Sequence, residues 1–67
     1  MIVYINSKMT ELPESVRTVE QLLDHLHIAR QGTGVGINNR LIKSADWAKT
    51  FLNPEDRIMV IAATYGG

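Results

Sequence analysis

The chain has 67 residues, seven of them basic and seven acidic, with no cysteine. That length supports one small domain with no deep, self-walled active site. The even charge argues against the broad cationic surface of a nucleic-acid binder, and the missing cysteine excludes disulfides, thiolate nucleophiles and cysteine-ligated metals.

Ile2-Val3-Tyr4-Ile5 begins the chain as a β-rich run. Asn6-Ser7-Lys8 reads as a turn, and Met9 to Leu12 as a second strand that closes a hairpin before Pro13, a residue confined to strand ends and edges. Thr18 and Gln21 have capping-box spacing. Val19, Leu22, Leu23 and Leu26 follow at i, i+3, i+4 and i+7, which predicts a helix of about ten residues ending near His27 or Ile28. Gly34 to Asn38 reads as a third strand, Asn38-Asn39-Arg40 as a turn, and Leu41-Ile42-Lys43 as the return strand. Ser44 is placed to cap a single helical turn that carries Trp47, a core plug or a half-buried residue. Asn53-Pro54-Glu55-Asp56 is a turn, and Arg57 to Ala62 the last strand.

This order, β-β-α-β-β, a helical turn and β, predicts an α+β fold: a four- to five-stranded sheet with one main helix on one face. Residues 1–62 form the domain and residues 63–67 a flexible C-terminal tail. The first and last strands are the most apolar and belong at the sheet centre. Period two puts Val3, Ile5, Ile58 and Val60 toward the helix. Met59, Ile61 and Tyr4 then lie on the face that no helix covers, where they form a candidate docking patch.

Terminal Gly66-Gly67 is the most informative feature. Glycine has no Cβ, so its backbone threads a channel too narrow for other residues. An α-carboxylate is anionic at neutral pH, with a pKa of ~3.3–3.7, and can attack the α-phosphate of ATP to form an acyl-adenylate. The chain has no phosphate loop for that step, so a partner must catalyse it. Five extended residues reach ~17 Å, at ~3.3 Å each, enough to enter another protein's site.

Other candidates are weaker. Gly32-Thr33-Gly34-Val35-Gly36 leads into a strand, whereas a nucleotide-binding glycine motif follows a strand and begins a helix; a flexible loop or bulged strand fits better. His25 and His27 do not share a helix face and have no third ligand nearby, so no metal site is expected. Capping accounts for Ser44 and Asp46, and a solvated turn for Glu55 and Asp56. No apolar stretch approaches the ~20 residues of a membrane span and no signal-peptide pattern is present, which makes the cytoplasm the expected compartment.

Over essentially its whole length the chain resembles the ThiS family, the ubiquitin-like β-grasp sulfur carriers of thiamine biosynthesis. The resemblance is carried by Val19-Glu20-Gln21-Leu22-Leu23 with Leu26, by Ile37-Asn38-Asn39-Arg40-Leu41-Ile42 with Trp47, and by Gly66-Gly67. Lys43-Ser44 stands where the family often has Pro-Arg, Glu55-Asp56 where it often has Gly-Asp, and Tyr65 is a bulky residue before the diglycine. The resemblance implies that the chain is not an enzyme and binds no cofactor, and that a separate adenylating enzyme of the ubiquitin-activating type uses ATP on Gly67. A sulfur donor system fed by a cysteine desulfurase then converts the adenylate to a thiocarboxylate, and thiazole synthase takes the sulfur. In this scheme Gly67 carries sulfur, Gly66, Tyr65 and Thr64 are gripped as the tail, and Met59, Ile61 and Tyr4 dock. The alternatives are a carrier for another pathway such as molybdopterin, a modifier joined to lysines, or a non-covalent interaction module with incidental glycines.

Overall fold

The computed structural model describes residues 1–62. The expected tail, with Thr64, Tyr65, Gly66 and Gly67, lies outside the described residues. The elements are β1 (Ile2–Ile5), β2 (Lys8–Glu11), α1 (Val19–His25), β3 (Thr33–Ile37), β4 (Arg40–Ile42), a 3₁₀ helix (Ser44–Lys49) and β5 (Arg57–Ala62). They build one five-stranded mixed sheet in the order β2-β1-β5-β3-β4. β1 and β5 are parallel, and the other neighbours are antiparallel. The two most apolar strands are therefore adjacent in the sheet interior.

Both hairpins turn on two residues in the left-handed region, Asn6-Ser7 (φ 50° and 70°) and Asn38-Asn39 (φ 51° and 68°). Positive φ at both turn positions matches the right-handed twist of the flanking strands, and asparagine tolerates it better than most residues. The two asparagine side chains also tie the turns to β5. Asn6 Oδ1 accepts from Val60 N at 2.9 Å while its Nδ2 donates to Val60 O at 3.2 Å. Asn38 Oδ1 accepts from Arg57 N at 3.0 Å.

The capping box forms as its spacing predicts: Thr18 Oγ1 accepts from Gln21 N at 3.2 Å, and Gln21 Oε1 accepts from Thr18 N at 3.1 Å. The helix is shorter than its periodicity suggests, seven residues rather than about ten. His27, at φ 59°, adopts the left-handed conformation. Its N–H donates to Asp24 O at 3.1 Å and that of Ile28 to Leu23 O at 2.9 Å. This is the Schellman pattern, which satisfies the last carbonyls and turns the chain away. Ile28 enters the core instead of extending the helix.

Seven helical residues cannot cover five strands. Val19, Leu22 and Leu23 come from α1, but Leu12, Val16, Ile28, Trp47 and Leu52 from the connections complete the layer over Val3, Ile5, Val35, Ile37, Ile58 and Val60. Trp47 is buried, and its Nε1 donates to Ile42 O at 3.0 Å. Ser44 begins the 3₁₀ helix but makes no side-chain cap; Lys43 occupies the capping position. Asp56 corrects a second expectation. It is 6% exposed, not solvated: Oδ2 accepts from Asn53 N at 2.8 Å and Oδ1 from Asn38 Nδ2 at 3.1 Å. Among the described residues no helix is long and apolar enough to cross a membrane.

Candidate functional site

Strand alternation gives the sheet two faces. Along β5, Ile58 and Val60 are buried under the helix layer, whereas Arg57, Met59 and Ile61 are exposed on the other side. Met59 is 57% exposed and Ile61 66%. For large apolar side chains that is a high exposure, and contiguous patches of this kind mark places where another molecule sits.

The neighbouring strand shapes what these side chains border. β3 registers Gly34 beside Ile61 and Gly36 beside Met59, and β4 registers Leu41 beside Gly36. Leu41 is 75% exposed. Two positions without side chains thus lie between a wall of Met59 and Ile61 and a wall of Leu41. The result is an open groove of about 400 Å³ whose lining also includes Ser7, Asn39 and Arg57.

The glycine-rich stretch divides: Gly32 lies in the turn before β3, as the loop reading expects, and the rest is neither a loop nor a bulge. Gly34 and Gly36 belong to a regular strand paired on both sides. Neither has a positive φ; among the described glycines only Gly32 does. A Cβ on Gly34 would lie 3.8 Å from the Ile61 carbonyl oxygen, and one on Gly36 3.5 Å from that of Arg40, ordinary contact distances. Backbone conformation and crowding leave both positions open to a side chain, and glycine weakens a strand interior. What the two glycines contribute is the floor of the groove.

The structure brings Met59 and Ile61 together but sets Tyr4 apart. Tyr4 registers with Arg57 on β5 and Met9 on β2, and is half-buried. It lines a separate depression with Ser7, Glu55 and Arg57. Ser7 and Arg57 are common to both hollows. Period two along β5 already places Arg57 on the open face with Met59 and Ile61, but Gly34, Gly36 and Leu41 are missed by such reasoning within single strands. The alternation of glycine in Thr33 to Ile37 is the local signal, and its meaning depends on the register against β5. His25 and His27 are exposed at the helix end, where the Schellman turn accounts for His27.

A five-stranded mixed sheet closed by one main helix on one face, the other face uncovered among the described residues, defines a ubiquitin-like β-grasp protein. The ThiS family model matches residues 3–67; the chain belongs to that family, the small sulfur-carrier proteins, not catalysts, of thiamine biosynthesis. Two solved structures share the fold. One is the crystal structure of a thiamine biosynthesis protein (ThiS) from Geobacter metallireducens, at a TM-score of 0.82 and 20% identity, over 100% of both chains. The other is the solution structure of a thiamine biosynthesis protein from Geobacter metallireducens, at a TM-score of 0.80 and 20% identity, over 100% of this chain and 88% of the other. A comparison with curated proteins gives no match.

Proposed function

We propose that Gly67 is the residue on which sulfur travels. A carboxylate oxygen of Gly67 attacks the α-phosphate of ATP held by an adenylating enzyme of the ubiquitin-activating type, and pyrophosphate leaves. A sulfide-equivalent nucleophile from the sulfur donor system then attacks the acyl-adenylate carbonyl, and AMP leaves with the bonding pair. The product is a thiocarboxylate, from which thiazole synthase takes sulfur for the thiazole ring. ATP belongs to the partner's site, and the carrier contributes only the substrate carboxylate.

The observation that carries this reading is the family match through residue 67, which includes Gly66-Gly67. Gly66 allows passage through a narrow channel, since it has no Cβ, and Thr64 and Tyr65 position the tail. The open face docks the domain while the tail reacts: Met59 and Ile61 stand on the strand that leads into residues 63–67, so docking and delivery share one element. Tyr4 contributes from its own depression across Arg57.

The test is the intact mass of the full chain after incubation with ATP, a ubiquitin-activating-type adenylating enzyme and sulfide. The expected product exchanges one oxygen for sulfur at Gly67, and the chain lacking Gly67 remains unmodified. Sulfur uptake by that truncated chain would overturn the assignment.

A further inference from the structure

We infer that the glycine-floored groove receives an apolar side chain of a protein partner and that Arg57, at its end, selects the partner by pairing with a carboxylate beside that side chain. This rests on the docking reading above and adds to it the chemistry of the bound surface. The groove has apolar walls in Met59, Ile61 and Leu41, and Gly34 and Gly36 leave its floor free of side chains. Interface energy concentrates where such an anchor fills a pocket, and arginine is among the residues that most often share that role.

Arg57 alternates with Ile58 and so points to the open face. Its backbone is held firmly: its N–H donates to Asn38 Oδ1 at 3.0 Å, and its carbonyl accepts from Asn38 N at 2.8 Å. Asp56, buried next to it, accepts from the same asparagine's Nδ2. The guanidinium therefore projects from a fixed base. Among the described residues it makes no ion pair; the pairs formed are those of Arg30 and Lys49. Glu55 borders the neighbouring depression without pairing with it. Among the described residues no carboxylate lines the groove, and Arg40 is a second cationic residue in its lining. Two copies docked groove to groove set one Arg57 against the other, so the complementary occupant is a different protein with an acidic residue next to its anchor. Arginine suits this task because its planar fork matches a carboxylate and it is weakly hydrated.

The test compares adenylation kinetics of the full chain with its Arg57→Glu, Arg57→Gln and Arg57→Lys variants, using a ubiquitin-activating-type adenylating enzyme and following pyrophosphate release. Arg57→Glu is expected to raise KM for the carrier about tenfold or more with kcat held, because the lost contact serves docking, not the reacting atoms. Arg57→Gln falls between, and Arg57→Lys stays nearest to the parent. Carbodiimide treatment of the Arg57→Lys complex should join position 57 to an Asp or Glu of the enzyme, read by peptide mass spectrometry. Unchanged KM in Arg57→Glu, with the parent chain adenylated normally, overturns the inference and leaves the carrier assignment standing. If the parent chain is not adenylated, the carrier reading fails, and the groove is decided by amide-shift titration with two synthetic peptides. One has a leucine beside an aspartate, the other the same leucine beside asparagine. Stronger shifts at Gly34, Gly36 and Arg57 with the aspartate peptide support the inference; equal or absent shifts overturn it.

Discussion

The two faces of the sheet are built from the same strands in the same register, yet their chemistry differs at every step. Toward the helix stand Val3, Ile5, Val35, Ile37, Ile58 and Val60, all buried. Away from it stand Gly34, Gly36, Leu41, Arg57, Met59 and Ile61, which border a groove. The covered face is filled with branched side chains that have few rotamers to lose. The open face carries an adaptable methionine, two positions with no side chain and Arg57, which forms no ion pair among the described residues. The first arrangement suits permanent burial, and the second suits a surface covered only while a partner is present.

This contrast can be broken from either side. The largest effect on stability is expected from Leu22→Ala on the covered side, because Leu22 is fully buried in α1. Such truncations cost about 2–5 kcal/mol, a large part of what a domain this small has, and chemical denaturation will read it. Asp56→Ala is expected to cost about 1–3 kcal/mol, since Asn53 N and Asn38 Nδ2 both lose their acceptor in a buried setting. The same measurement shows it, and a neutral result would mean that water replaces the carboxylate.

On the open face stability and binding should separate. Met59→Asp is expected to leave the unfolding free energy within about 0.5 kcal/mol while weakening partner affinity about tenfold, or about 1.4 kcal/mol. Calorimetric titration against the adenylating enzyme provides the second number; an unchanged Kd would remove Met59 from the docking surface. The smallest and most diagnostic change is Gly36→Ala. A methyl group fits there, so the strand should gain about 0.5–1 kcal/mol while the shallower groove binds a partner several-fold more weakly. A variant that is stabler and binds as well would show that the glycine floor has no role in docking.

Much of this architecture is legible in local patterns. The capping box at Thr18 and Gln21, the asparagine turns and the alternation in β1 and β5 each involve residues a few positions apart, so sequence spacing translates directly into geometry. The helix end was less readable: apolar periodicity continues through Leu26, but with His27 in the left-handed region the helix ends at His25, not near His27 or Ile28. Glu55, at φ 68°, likewise occupies a turn position of the kind that favours glycine, the residue that the family resemblance leads one to expect there.

By itself, the sequence determined the class of fold, the order of its elements, the inward face of its central strands and the family signature ending in Gly66-Gly67. Those features depend on propensity, period and short-range hydrogen bonding. Only the tertiary structure decided that Asp56 is buried, because its partner Asn38 is 18 residues away, and that Tyr4 belongs to a different hollow from Met59 and Ile61. Only the tertiary structure made Gly34 and Gly36 a groove floor. A missing side chain has no meaning along one strand; it becomes a cavity when register sets it between the side chains of two others.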